Sequence, residues 1–295
     1  MTPARERLPQ VGTSNAGHPK SYKAPFFKNS EVLADIKDEY LTDVLTDRCV
    51  KTIEDYDRDQ PFMISMWYYN VHRPPVPRED LFAHFKAKGY EDADAIYASQ
   101  VKAVDESVGR IREALAAKGI ADNTVIVFLS DQGSWYPNTP LRGGKMVDTL
   151  CEGGARVPLI VRWPGVTKPG TQNRSLVQST DLFSTFVEIA GGDPSAYDNL
   201  DGFSLMPAIR GETLPDREQP LIGYRAYQDL YASVRDGDWK LLAYRSGKVN
   251  LYNVAKDESE QNDVASSNPS KVKRLTDELI EWEKRMKVQQ YSGVQ

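Results

Sequence analysis

Residues 124–163 constrain this chain more than any other stretch. An apolar run, Thr124-Val125-Ile126-Val127-Phe128-Leu129, breaks at Ser130-Asp131-Gln132-Gly133. The chain then passes through Pro140-Leu141-Arg142-Gly143-Gly144-Lys145 and Cys151-Glu152-Gly153-Gly154-Ala155-Arg156-Val157-Pro158. It re-enters an apolar run at Leu159-Ile160-Val161-Arg162-Trp163. Short apolar runs bounded by turn residues predict two buried strands. In an open α/β sheet, ligands sit beyond the carboxyl ends of strands, and Asp131 stands at such an end. A carboxylate beside an amide oxygen suits a hard cation, and a neighbouring lysine suits an anion. A solvated strand-end turn with a surface lysine fits the same residues.

Composition narrows the class. The chain has 295 residues, 40% of them hydrophobic and 27% charged, as in a globular protein of one large domain or one domain with an appendage. The net charge of −5 comes with no basic stripe, which argues against nucleic acid as a partner. No apolar run approaches the roughly 20 residues of a membrane-spanning helix. The first ten residues lack the apolar core of a secretory signal, so the chain as given is expected to be cytoplasmic or a piece of something longer. Cys49 and Cys151 are isolated, which predicts neither a zinc site nor a disulfide framework. Three histidines, His18, His72 and His84, limit any histidine-rich metal centre.

Periodicity gives an order of elements. Residues 1–30 read as irregular. A helix is expected over 31–56, capped by Asn29-Ser30, and a buried strand over 62–69. Prolines 74, 75 and 77 stop that run, which places His72 on a loop at a strand's carboxyl end. A short helix over 78–89 precedes a long one over 93–118, with Tyr97, Val101, Val104, Val108, Ile111 and Leu115 as its core stripe and Asp105 beside it as a structural carboxylate. A helix over 182–189 follows, capped by 179–181, and then a short helical turn within 202–211. Four short strands over 221–225, 231–235, 240–244 and 249–252 lead to a final helix after Asn268-Pro269. Helix followed by buried strand, twice over, predicts an α/β fold, with an antiparallel α+β appendage at the C-terminus.

With these residues in place the sequence resembles the sulfatases of the alkaline-phosphatase superfamily. Their pattern is an apolar strand, S-D-N-G, P-L-R-G-G-K, E-G-G-x-R-V-P, and a strand ending W-P-G. Here it reads Ser130 to Gly133, Pro140 to Lys145, Glu152 to Pro158 and Trp163-Pro164-Gly165. Residues 61–74, Asp105, Asp181-Leu182, Asp201-Gly202 and the stretch from Trp239 to Asn262 extend the similarity to nearly everything after residue 35. The resemblance implies an alkaline-phosphatase-like α/β sandwich with a mixed central sheet, incomplete here, plus a small C-terminal antiparallel sheet with one helix. It implies three regions: an irregular 1–30, a truncated catalytic domain 31–215 and an α+β subdomain 216–295. It implies hydrolysis of sulfate esters, with Asp131 and Gln132 as ligands of one Ca2+ ion, Lys145 contacting sulfate, and His72 contacting sulfate or protonating the leaving group. The expected partner is a sulfated small molecule or glycan, an algal polysaccharide among the candidates. Trp135-Tyr136 are suited either to stacking on a sugar ring or to loop packing. Family members are usually periplasmic or secreted.

Two departures qualify the resemblance. The family's nucleophile is a formylglycine made within C-x-P-x-R or S-x-P-x-R, and neither motif occurs. Residues 213–217 come near it but begin with threonine, residues 267–271 come near it but end in lysine, and Arg142 and Arg156 read as structural, paired with Glu152 or a carbonyl. The chain is therefore expected to lack the N-terminal half of the catalytic domain, which a separately encoded segment would supply. Strands such as 62–69 and 124–129 would then have unpaired edges. A non-catalytic glycan-binding module is the alternative. Gln132 replaces the family's asparagine and adds a methylene. A phosphatase or phosphodiesterase of the superfamily generally has histidine at that step, so Gln132 argues against that third reading.

Overall fold

A computed structural model describes residues 39–288 and the backbone of three short strands, β1 (Val11–Thr13), β2 (Phe26–Lys28) and β3 (Glu31–Val32). These three pair antiparallel in the order β1-β2-β3. The chain divides into two compact units, Met1–Thr124 and Val125–Gln295.

In the first unit, helix α1 spans Leu41–Asp55. The sequence places its start too early: Glu31–Val32 is a strand, and the cap position is Tyr40. The buried positions, Leu41, Val44, Cys49 and Ile53, mark the true start of the helical face. Helix α2 (Glu79–Ala87) and helix α3 (Asp92–Ala117) follow. Asp92 and Asp94 lie in the first turn of α3, where the helix dipole favours acids, and Gly119 at φ +77° closes it.

The buried face of α3 is not the expected valine stripe. Ala95, Ser99, Ala103, Ser107 and Ala114 are buried, at spacings that repeat every helical turn or two. Val101 keeps 47% of its surface exposed. Small side chains let α1 and α2 approach α3 closely, and helix separation is set by the side chains at the contact. Asp105 points outward and pairs with Lys102 at 2.7 Å.

Residues 62–69 do not form a strand. They run extended, and the odd-numbered side chains from Met63 to Trp67 are exposed while their neighbours are half-buried. The pleat is present without a ladder, because no described segment pairs with it. Trp67 is left 85% exposed.

The second unit has the expected α/β fold around the motif. Strand β4 (Ile126–Leu129) pairs antiparallel with β5 (Leu159–Arg162), Ile126 opposite Arg162 and Leu129 opposite Leu159. A one-turn helix, α4 (Glu152–Ala155), lies between them in sequence. These strands are less buried than their composition suggests: Ile160, Phe128 and Leu129 are exposed on a ribbon of only two strands. Among the described residues the ladders are antiparallel, and no parallel pair of the expected mixed central sheet is among them.

Helix α5 (Asp181–Ile189) and the short α6 (Met206–Ile209) pack on the inner face of β5 through Leu182, Val161, Trp163 and Leu214. Asp181 is fully buried; it accepts from the amides of Gln178 and Phe203 and pairs with Arg217, whose guanidinium also lies over the Phe203 ring. That pairing accounts for the arginine of the 213–217 near-match. Strands β6 (Leu221–Tyr224), β7 (Leu230–Asp236), β8 (Trp239–Tyr244) and β9 (Val249–Asn253) form a meander, with turns at Gly237 (φ +51°) and Gly247 (φ +85°). Helix α7 (Pro269–Met286) covers it, with Leu275 and Leu279 packed on Val234, Leu241 and Leu251. Asn268 sits at the cap of α7 and Lys271 lies over the Trp239 ring, so the 267–271 near-match is a helix start.

The two faces of α3 give opposite expectations. Ala103→Leu, which overpacks the helix contact, should cost about 1–3 kcal/mol in urea unfolding, whereas Val101→Ser should stay within about 0.5 kcal/mol. Equal costs would mean the valine stripe is the packed one.

Candidate functional site

The motif of the second unit folds into a knot of backbone. The amide of Gly133 donates to the Gly154 carbonyl at 3.0 Å, that of Gly153 to Arg142 at 2.7 Å, and that of Lys145 to Ser134 at 3.0 Å. Three sequence-distant pieces thereby lie backbone against backbone. A Cβ on Gly133 would overlap the Gly153 carbonyl, and one on Gly153 would overlap the carbonyls of Arg142 and Gly143. The glycines are required by close approach here, not by turn conformation.

Asn138 clamps the loop between these pieces. Its Oδ1 accepts from the Ser134 amide at 3.2 Å, and its Nδ2 donates to the Gly143 carbonyl at 3.0 Å. Arg142 is committed to structure: Nε and Nη2 donate to Asp148 Oδ2 at 3.0 and 2.8 Å, and Nη1 to the Tyr252 hydroxyl at 3.3 Å. Arg156 reaches Glu258 at 3.4 Å. Both arginines are structural as expected, but with other partners than Glu152.

Glu152 belongs to a buried ion cluster instead. Lys240 Nζ lies 2.9 Å from Glu152 Oε1 and 3.1 Å from Glu260 Oε1. Arg235 Nη1 lies 3.2 Å from Glu152, and Glu260 Oε2 accepts the Glu152 amide at 2.7 Å. No local pattern signals this cluster, since 152, 240 and 260 are far apart in the chain. Burial alone would push the Glu152 carboxyl up, but Lys240 and then Arg235 hold it below its ordinary 4.5. Glu260 goes the other way, because burial outweighs Lys240. Cys151, buried beside them, has its thiol pushed up to about 12 by burial and by Glu260, so it stays protonated and inert.

Asp131 follows the end of β4, with its side chain 81% exposed. Lys145 Nζ stands 3.4 Å from Asp131 Oδ2. Gln132 is half-buried in the same turn, and its carbonyl accepts from the Ser130 hydroxyl at 3.0 Å. Residues 134–137 and 143–147, Lys145 included, line a cavity of about 280 Å3. The structure therefore brings Asp131, Gln132 and Lys145 together. Among the described residues no group of three His, Cys, Asp or Glu side chains is arranged to hold a metal.

His72 lies in the first unit, in a turn after residues 62–69 rather than at the end of a strand. Its amide donates to the Tyr69 carbonyl at 2.8 Å, its Nδ1 lies 2.7 Å from the Arg73 carbonyl, and its ring rests 4.9 Å from that of Tyr69. Asn70 holds the turn in place: it accepts from Thr42 at 2.6 Å and donates to the Gln100 carbonyl at 2.8 Å. Among the described residues no helix is long and apolar enough to cross a membrane.

The chain is similar to known proteins in sequence and in fold. The sulfatase family model matches residues 9–192, and that of the N-sulphoglucosamine sulphohydrolase C-terminal region matches 148–289. A sulfatase of Formosa agariphila is 34% identical over 262 residues, which cover 79% of this chain and 47% of that protein. Human N-acetylgalactosamine-6-sulfatase is 31% identical over 191 residues, 63% of this chain and 35% of that protein. The crystal structure of Ps i-CgsB in complex with k-i-k-neocarrahexaose superposes with a TM-score of 0.80 at 30% identity, covering 88% of this chain and 58% of that one. BT4656, solved with D-glucosamine-2-N,6-O-disulfate, shares the fold with a TM-score of 0.74 at 19% identity, covering 90% of this chain and 73% of that one. The chain thus spans from a third to a half of the length of these two sequence relatives.

The ion cluster makes a pH prediction. At pH 7, Lys240→Met should cost about 3–5 kcal/mol, because it strips Glu260 and half-strips Glu152 of their cation while both stay buried. In the wild type the Glu152 contribution is complete above 4.5 and is lost as pH falls through its depressed folded value. Glu260, raised, opposes this by favouring the fold as it protonates. In the variant the raised group dominates, so stability measured by urea titration should rise between pH 7 and pH 5. A variant that loses stability over that interval would contradict the cluster.

Proposed function

The chain belongs to the sulfatase family, and we propose that it forms part of a hydrolase acting on sulfate esters of carbohydrates, with Lys145 gripping the sulfate. The observation that carries this reading is the placement of Lys145. Of the three cations between the two strands of the motif, Arg142 is spent on Asp148 and Tyr252, Arg156 points to Glu258, and Lys145 alone lines the depression. Its partner Asp131 is 81% exposed and 3.4 Å away, so solvent screens the contact that an anion would have to displace.

A sulfate ester places negative charge on its sulfuryl oxygens and, as the ester bond breaks, on the departing alkoxide. Lys145 offers a fixed positive charge to the former. For His72 we propose proton donation to the latter. Its Nδ1 lies 2.7 Å from the Arg73 carbonyl, a contact that orients the ring. Asp131 and Gln132 would hold one face of a calcium ion, which when bound supplies further positive charge to the sulfate. They offer at most three side-chain oxygens against the about 6–8 that calcium takes, so the remaining ligands belong to other segments.

The nucleophile belongs elsewhere as well, since C-x-P-x-R does not occur in the 295 residues. The proposal therefore includes a second segment, an N-terminal sulfatase half. Its support is the apolar surface left open in each unit: Met63 and Trp67 on the unpaired extended run of the first, and Phe128 and Ile160 on the two-stranded ribbon of the second. Unpaired edges and exposed apolar side chains of this kind mark association surfaces. Carbohydrate as substrate class is supported by the N-acetylgalactosamine-6-sulfatases and by the neocarrahexaose bound in Ps i-CgsB. We carry forward three regions, 1–30, 31–215 and 216–295, with the last as an α+β subdomain, and export from the cytoplasm with the completed enzyme.

Co-expression with an N-terminal sulfatase segment carrying C-x-P-x-R, in calcium, tests the reading. The complex should hydrolyse an aryl sulfate and a sulfated galactan oligosaccharide and leave an aryl phosphate untouched. Lys145→Ala should lower kcat/KM by about 100- to 1000-fold. Phosphate turnover without sulfate turnover, or an unchanged rate in Lys145→Ala, would overturn it; no turnover with a correctly assembled complex would leave a binding module.

A further inference from the structure

The loop that carries His72 is tied down chiefly by side chains. It runs from Asn70 to Arg78, and prolines 74, 75 and 77 leave it few backbone donors with which to hold itself. Side chains at α1 and α3 hold it instead. Resting on the reading of His72 as the proton donor, we propose that Tyr40 and Asn70 are its positioning residues, a hydrogen-bonded pair that fixes the loop, and through the loop the imidazole, against the packed helices α1 and α3.

The ties enter at three places. Asn70 Oδ1 accepts from the Thr42 hydroxyl at 2.6 Å and its Nδ2 donates to the Gln100 carbonyl at 2.8 Å, so one carboxamide spans α1 and α3. Tyr40, at the cap position of α1, stands between the two sides of the loop. Its hydroxyl accepts from Asn70 Nδ2 at 3.2 Å and donates to the Val76 carbonyl at 3.0 Å. At the far end Arg78 pairs with Asp43 of α1 at 3.3 Å and with Glu106 of α3 at 2.6 Å. Burial pushes the Tyr40 hydroxyl up to about 12, so it keeps its proton and remains a donor at neutral pH.

The imidazole takes its orientation from this loop. Its ring lies 4.9 Å from that of Tyr69, its Nδ1 lies 2.7 Å from the Arg73 carbonyl, and the Tyr69 hydroxyl donates to that same carbonyl at 2.9 Å. Tyr69, His72 and Arg73 thus form one unit. Packing of Tyr69 on Leu41 and Val44 keeps the unit near α1, but apolar packing is not directional; the hydrogen bonds of Asn70 and Tyr40 are. A proton donor acts only within hydrogen-bond reach of the departing oxygen, and a displacement of about 1 Å can cost about 100-fold in rate. Tyr40 and Asn70 can therefore govern the donor without touching substrate.

The leaving group distinguishes positioning of a proton donor from general loosening. A nitrophenolate departs from sulfur without a proton, whereas a sugar alkoxide needs one on its oxygen as the O–S bond breaks. In the co-expressed complex, Tyr40→Phe and Asn70→Ala should lower kcat on a sulfated galactan oligosaccharide about 10- to 100-fold with KM within about twofold, and change kcat on 4-nitrophenyl sulfate by less than about threefold. In the 295-residue chain alone, both substitutions should shift the ring-nitrogen NMR signals of His72 and leave those of His84 in place. Equal losses on the two esters, or His72 signals that match the wild type, overturn the positioning role. His72→Ala keeps the two readings apart: if it spares the oligosaccharide rate, the donor reading itself falls; if it removes that rate selectively while Tyr40→Phe and Asn70→Ala do not, the positioning role alone falls.

Discussion

The candidate site stands on one buried ammonium. Lys240, on β8, the third strand of a turn-rich meander, is shared by Glu152 at the start of α4 and Glu260 in the connection before α7. Glu260 also accepts the amide of Glu152, so a single carboxylate fixes both ends of the contact. Neither acid could be left alone in such surroundings, because an unpaired buried charge costs far more than the pair contributes. The cluster is best understood as a device for register. It seats α4 against the meander, α4 seats Gly153 and Gly154, and these two receive Gly133. The turn that presents Asp131 is therefore held at the end of a chain of contacts whose other end is the C-terminal sheet.

What the sequence disclosed and what it hid divide along a physical line. Features fixed by local chemistry were legible: α3 and α7 from periodicity, the β6–β9 meander from alternation and its Gly237 and Gly247 turns, and the glycine motif from its spacing. Asp131 and Lys145, singled out through the same motif, lie 3.4 Å apart. Features that depend on partners were not legible. Residues 62–69 have strand composition and strand alternation, but a ladder needs a neighbour, and no described segment provides one. On α3 the larger valines drew attention, although closeness of packing selected Ala103 and Ser107. The partners of Glu152 lie 88 and 108 residues away and have no local signature.

These misreadings share a direction. Each assigned burial to an apolar surface that the described structure leaves open: Met63 and Trp67, Val101, and the outer positions of β4 and β5. A two-stranded ribbon is marginal in water by itself, yet β4–β5 survives because its inner side carries the cluster around Leu205, Met206 and Leu214. One face is stabilised by the chain's own helices. The other keeps the composition of an interior without a cover among the described residues, which is the condition an associating segment would satisfy.

The same reasoning ranks the charges around the motif. A cation held by two buried acids, as Lys240 is, cannot be lent to a ligand without stranding them. A guanidinium bonded twice to Asp148 and once to Tyr252, as Arg142 is, would lose geometry as well as charge pairing. Lys145 is different in kind: its side chain is mostly buried, its ammonium meets the exposed carboxylate of Asp131, and it lines an open depression. On the proposed reading, a cation on Asp131 would relieve Lys145 of its partner and strengthen its hold on an anion, and by linkage an anion on Lys145 would favour that cation to the same degree.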